Sequence, residues 1–343
     1  MTGRSCDIDE RQIFCRAVPP RCYDERIAGT TGAMETMMSS ILLRFAAAFS
    51  LLTAAPVWGQ TAPKPTAPIA DLPAGEADPA LWVVKDKDTT IYLFGTIHVL
   101  KPGLSWFDEA VRSAFDKSNE VVLEIPMPTQ EQAQAAVMKS AVNVTGPKLS
   151  EKLPEAERPA YAKAVADAGL PAGALEQLDP WFAASTLTLV TLQKQGYDPA
   201  SGAEQAISQA AKAAGKPVTG LETLEQQFGF FDSLSDAAQV TFLTETIKEL
   251  PTAGQSIDKM VDQWRRGDPD ALAATMNEEM TVSPELKRVL LTDRNARWAK
   301  WIEERMKRPG TVFVAVGAGH LAGSGSVQDA LKRYKLRATR VKY

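Results

Sequence analysis

Two histidines are all that this 343-residue chain contains, and both stand in the same four-residue frame. Gly95-Thr96-Ile97-His98 follows the apolar run Ile91 to Phe94, and Gly317-Ala318-Gly319-His320 follows the run from Thr311. A short stretch of β-branched and aromatic residues that breaks into glycine reads as a buried strand whose end hands a polar side chain to a loop. Binding crevices of open α/β sheets lie beyond such strand ends, so the repeated frame predicts that His98 and His320 converge on one site. A lone histidine beside a tight turn is usually a hydrogen-bonded filler; the matched contexts are what argue otherwise.

The rest of the chain reads as an α/β fold, with a central mixed sheet flanked by helices. Leu81 to Val84 and Thr89 to Phe94, separated by Lys85-Asp86-Lys87-Asp88, predict a β-hairpin. Trp106 to Phe115 has helical spacing, and Glu120 to Ile125 is a short buried strand that Glu124 interrupts near its end. From about Gln130 to Arg308 the text is a large helical block between the two histidine frames, broken by Pro154, Pro171, Pro180, Pro199, Pro251, Pro269 and Pro284. One short strand is expected inside it, at Lys216 to Leu221. The block ends in a long amphipathic helix from Pro284 to Arg308, with Leu286, Val289, Leu290, Trp298, Trp301 and Ile302 as core candidates. A helix from Val327 to Tyr334 and a strand from Leu336 to Val341 close the chain.

The first 59 residues carry six basic and six acidic side chains, so the remainder keeps the whole net charge of −4. That mild acidity excludes nucleic acid, which needs a basic patch. All three cysteines, Cys6, Cys15 and Cys22, precede Met34. Met34, Met37 and Met38 open a text with one basic residue, Arg44, an apolar stretch and small residues at Val57 and Gly59, the layout of a secretory signal peptide. Residues 1–59 are accordingly read as an over-extended start plus that leader, 60–78 as a Pro/Ala-rich linker, and 79–343 as one domain. A mature chain beginning near Gln60 would lack cysteine, excluding disulfides and thiolate zinc sites, and would be periplasmic or secreted, with no membrane span. Its oligomeric state is not legible.

Glu124 is the third candidate of the site. A carboxylate leaving an apolar strand needs a cation, a donor or water, since burial unpaired costs several kcal/mol. Two imidazoles and one carboxylate form a known catalytic zinc pattern, and the same set suits other divalent ions such as manganese or cobalt. Arg294, beside Asn295 among apolar positions, is placed to neutralise a carboxylate, to polarise a substrate carbonyl, or simply to lie on a solvated helix face. Glu204 and Glu222 open predicted helices, where an acid also simply answers the helix dipole. Gly-x-Ser-x-Gly does not occur, which argues against a serine hydrolase.

Taken together, Gly95-Thr96-Ile97-His98, the VVLEIPM strand around Glu124, GLETLEQQ from Gly220, TDRNARW from Thr292 and VGAGHLAG from Val316 resemble the TraB/PrgY/GumN family, which includes the Tiki proteases. The resemblance covers about residues 79 to 343. It implies an α/β core related to the erythromycin esterase and ChaN folds. It also implies a metal-dependent hydrolase, acting most readily on peptide or protein substrates, with His98, His320 and Glu124 at the active centre and Arg294 in support. Glu204 and Glu222 match recurrent family positions, and either is a candidate general base. A binding protein that uses the same crevice for haem, a metal or a peptide remains the alternative, as does a structural role in the cell envelope.

Overall fold

The computed structural model describes residues 75–280 and 284–343. The leader-like segment and nearly all of the linker lie outside them. The first described residues already pack on the domain: Ala77 is buried, and the Asp78 N–H donates to the Arg265 carbonyl.

The predicted hairpin forms from β1 (Leu81–Lys85) and β2 (Thr89–Thr96), paired antiparallel. Asp86 closes its turn, Oδ1 accepting from the N–H groups of Asp88 and Thr89 at 3.1 and 2.8 Å. Helix α1 (Glu109–Lys117) leads to β3 (Glu120–Leu123). The long helical excursion returns once to the sheet as β4 (Val218–Gly220) and then as β5 (Gly310–Gly317). A two-residue strand, β6 (Thr339–Arg340), ends the sheet. Spatial order is β4-β3-β5-β2-β1-β6.

What matters for function is direction. β5 lies between β2 and β3 and runs parallel to both, and β4 runs parallel to β3. Four neighbouring strands therefore open their C-terminal ends on one side. Thr96 pairs with Gly317, and Leu123 with Ala315, so the residues after β2, β3 and β5 emerge together. Parallel strands need crossover connections, and the helical block supplies those from β3 to β4 and from β4 to β5.

The period-2 pattern of the strands divides the apolar residues between two cores. Phe94, Val121, Leu123, Phe313 and Ala315 face the helical block. Ile91, Leu93, Val122, Val312, Val314 and Val316 face α10 (Asp293–Arg305) and α11 (Val327–Leu331) on the other side. The block comprises α2 (Gln130–Ser140), α3 (Arg158–Asp167), α4 (Pro180–Lys194), α5 (Ala203–Ala213), α6 (Leu224–Asp232), α7 (Asp236–Glu249), α8 (Ala253–Arg265) and α9 (Pro269–Met280). Its centre is α4, apolar nearly all round, whose buried Ser185 and Thr186 hydroxyls donate to the carbonyls of Trp181 and Phe182 one turn back. Among the described residues no helix is long and apolar enough to cross a membrane.

The helix expected from Pro284 to Arg308 differs in one respect. A helical turn at Pro284–Lys287 passes into a π turn at Arg288–Thr292 before α10 begins. A single π turn inserts a residue into an α-helix and re-aims the side chains beyond it. Here it immediately precedes Arg294.

Candidate functional site

The residues beyond β2, β3, β4 and β5 form one buried polar centre. Glu124 leaves β3 directly. Backbone pairing continues past the end of β4, with the Leu221 N–H donating to the Leu123 carbonyl and the Glu222 N–H to the Glu124 carbonyl at 2.9 and 2.8 Å. That continuation sets the two carboxylates side by side. Glu222 thus lies before the Thr223 cap of α6, not within the helix, and its side chain turns inward.

Arg294 joins these carboxylates. Its Nη2 donates to Glu124 Oε2 and to Glu222 Oε2, both at 2.8 Å, and its Nε donates to Glu222 Oε1 at 3.0 Å. Its Nη1 reaches the Leu290 carbonyl in the π turn at 3.2 Å and His320 Nε2 at 3.1 Å. All five guanidinium N–H groups therefore have acceptors. The remaining acceptor capacity is met by Gln227 Nε2, which donates to both carboxylates, by Trp298 Nε1 on Glu222 Oε1, and by the Gly317 N–H on Glu124 Oε1 at 2.6 Å.

The His320 tautomer is set by its neighbours. Asn295 Nδ2 donates to the Gly325 carbonyl at 2.8 Å, which turns Asn295 Oδ1 toward His320 Nδ1 at 2.6 Å. Nδ1 must then carry the proton, and Nε2 presents its lone pair to Arg294. Burial, and next the Arg294 charge, push the His320 pKa down to about 3, so the ring is neutral. Burial works against an ionised Glu124, but Arg294, the two histidines and the Gly317 N–H together outweigh it and hold that carboxyl well below the usual range.

His98 belongs to a second, adjoining cluster. Its Nδ1 lies 2.5 Å from Glu204 Oε1, which also accepts from the Thr96 hydroxyl. Burial disfavours the imidazolium, yet Glu204, and more distantly Glu124, outweigh burial and raise the His98 pKa. Its charge in turn acts on Glu124 and His320, so the two clusters share one electrostatic environment. Glu204 Oε2 is buried and has no hydrogen-bond partner among the described residues. Close packing places Glu204: the Ala203 N–H donates to the Ile97 carbonyl at 3.0 Å, and Gly202 lies so near the His98 turn that a Cβ there would overlap the His98 carbonyl oxygen.

All six residues singled out by sequence are thus brought to one side of the sheet, each only 5–6% exposed. Thr96, Gly202 and Gln227 were not foreseen, and Trp298 was expected only as core. The carboxyl following a glycine in GAEQ was the one visible hint of Gly202.

Metal-ligating potential is partial as the side chains stand. Among the described residues no three His, Cys, Asp or Glu side chains form a ready ligand cluster. His320 Nε2 and Glu124 Oε1 are 3.7 Å apart, close to the separation of about 3.4 Å expected for two ligands of one tetrahedral ion. Both histidines also have Nδ1 beside an oxygen, Glu204 Oε1 as an ion-pair contact for His98 and Asn295 Oδ1 for His320, a placement that orients ligating imidazoles. Arg294 Nη1, however, already lies on the His320 lone pair.

The family model for TraB/PrgY/gumN matches residues 80–340, nearly the whole described chain. This chain belongs to the TraB/PrgY/gumN family. YbaP of Escherichia coli (strain K12), an uncharacterized protein, is 24% identical over 254 residues, covering 74% of this chain and 92% of YbaP. YbaP of Shigella flexneri matches to the same extent. An uncharacterized protein of Treponema pallidum (strain Nichols) is 19% identical over 269 residues, 74% of this chain and 80% of its own length. No solved structure matches. In this TraB/PrgY/gumN chain the matched region takes in all four strand ends and every residue of the buried polar centre.

The geometry sets two expected outcomes. Gly202→Ala should cost about 1–3 kcal/mol in urea unfolding, as overpacking does, and NMR titration should show the His98 pKa falling back toward its ordinary value as Glu204 withdraws. The second concerns pH. Unfolded, His320 titrates near 6.5, whereas folded it titrates near 3, so between those values only the unfolded chain takes up the proton. Stability is then complete above about pH 6.5 and is lost as pH falls toward 3. Above pH 4.5 Glu124 is largely ionised in both states, so its contribution lies at lower pH. Metal-free protein should lose up to about 1.4 kcal/mol per pH unit between 6.5 and 4.5 in urea unfolding, and His320→Gln should flatten that slope.

Proposed function

We propose that this TraB/PrgY/gumN protein is a metal-dependent hydrolase acting on peptide bonds. The observation that carries the reading is the matched placement of the two histidines: each has Nδ1 against a buried oxygen, in an ion-pair contact with Glu204 for one and on Asn295 Oδ1 for the other. In the neutral form of each ring the lone pair is left on Nε2, the atom a metal takes. Ion binding would compete with a proton on His98, which Glu204 favours against burial, and would require Nη1 of Arg294 to leave His320.

His98, His320 and Glu124 would hold the ion, with zinc, manganese and cobalt all compatible with the donor set. A divalent ion bound there supplies Lewis-acid polarisation of a carbonyl and makes water more acidic. Of the two acids considered as general base, Glu222 has its oxygens occupied by Arg294, Trp298 and Gln227. Glu204 keeps one oxygen without a hydrogen bond, and it is assigned the proton transfer. Hydrolysis would add the water oxygen to the acyl carbon and break the C–N bond, with Glu204 taking one water proton and passing it to the leaving nitrogen. Arg294 favours the ionised form of Glu124 and holds it in place, and Glu222 fixes Arg294.

The leader-like segment at 34–59 supports a periplasmic or secreted setting for this reaction. Metal content of the chain from Gln60, purified without affinity histidines or chelator, is the test. A near-stoichiometric divalent ion, absent from His98→Ala/His320→Ala, is expected, and Glu204→Gln should retain the ion while losing about 10²–10⁴ in peptide hydrolysis. Failure to bind zinc, manganese or cobalt after reconstitution overturns the reading.

A further inference from the structure

One cationic side chain at the edge of this site is not absorbed by its internal network. Arg297 lies three residues after Arg294 on α10, and its side chain is 50% exposed. The guanidinium stands 4.9 Å from the centre of the Phe230 ring, which the Arg294 guanidinium also faces at 5.8 Å. The nearest carboxylate oxygen is Glu222 Oε1, 3.8 Å from Nη2, beyond hydrogen-bond range. That oxygen already accepts from Arg294 Nε and Trp298 Nε1, each at 3.0 Å. Glu222 is therefore answered from inside the protein. The Arg297 guanidinium makes no hydrogen bond among the described residues.

The neighbouring arginine shows what the site does with a guanidinium it needs for structure: Arg294 is 5% exposed and has all five donors engaged. Arg297 is treated in the opposite way. An aromatic face limits its freedom while its donors stay available. A planar guanidinium so held matches a carboxylate, which it binds through two parallel hydrogen bonds. Its position beside Glu222 puts such a ligand next to the buried centre.

We propose that Arg297 receives a carboxylate of the substrate, so that the site takes peptides or N-acyl amino acids whose free carboxylate adjoins the bond to be cut. This rests on the hydrolase reading above and adds a substrate class to it. Recognition of the anion by Arg297 is a binding step and is measurable without turnover.

The experiment compares N-acetyl-dialanine with its C-terminal amide, titrated calorimetrically into the full chain, its Arg297→Gln variant and its Arg297→Lys variant. Wild type should bind the acid about tenfold or more tighter than the amide. Arg297→Gln should abolish that preference while leaving affinity for the amide within about twofold, and Arg297→Lys should keep part of it. Equal affinities in wild type, absence of binding by both ligands, or an acid preference that survives Arg297→Gln overturns the proposal. Metal content reports separately on the hydrolase reading: an acid preference lost in Arg297→Gln, in protein that binds no metal, keeps the carboxylate receptor and removes the hydrolase.

Discussion

The Arg294 guanidinium carries a charge that burial alone would make unfavourable by several kcal/mol, and its partners offset that cost only because they arrive together. Glu124 comes from the end of β3, Glu222 from beyond β4, His320 from beyond β5, and Arg294 itself from α10 behind the π turn. The Arg294–Glu124 contact closes a separation of 170 residues. Removing one carboxylate leaves the guanidinium buried and underpaired, a change that costs on the order of 3–5 kcal/mol. The polar centre is thus a structural clasp on the open side of the parallel strands as well as a candidate reaction site.

Those two roles are divided between adjoining clusters. Around Arg294 the donors and acceptors are matched, with Gln227 and Trp298 completing the carboxylates. Around His98 they are not, since Glu204 engages His98 and Thr96 through a single oxygen. Proton transfer needs a group with free capacity, and the matched cluster offers none. The saturated cluster contributes to the electrostatics: burial and next Arg294 keep His320 neutral, and Arg294 is the first of the groups that keep Glu124 ionised against burial. Both are the protonation states that a metal requires of its ligands.

Strand ends and their polar tenants were legible in the sequence because the signals are local. Gly95 to His98 and Gly317 to His320 each break an apolar run, and Glu124 stands out against Val121, Val122 and Leu123. The hairpin, β4 within the helical block, and the parallel core obey the same grammar. Glu204 and Glu222 were ambiguous, because an acid at a helix start satisfies the dipole whether or not it also faces a site. Arg294 was a candidate, but its acceptors lie on distant segments and no spacing rule connects them. Gly202 was invisible for a related reason: its close approach to the His98 carbonyl exists only after α5 has packed on the turn. Trp298 read as core, and it is core; its indole N–H on Glu222 is a tertiary fact. The π turn was not legible because the segments on both sides of it read as helix, and a one-residue shift of phase confined to a single turn is too short a signal to stand out.

The central claim, that the two histidine frames converge on one ion, is tested most directly by a crystal structure of the zinc-soaked protein with data collected on both sides of the zinc absorption edge. A single anomalous peak about 2.0–2.1 Å from Nε2 of both His98 and His320, with Arg294 Nη1 displaced from His320, is the predicted result. A zinc peak bound elsewhere, with Arg294 still on His320 Nε2, would contradict it and leave the histidines as parts of the buried clasp alone.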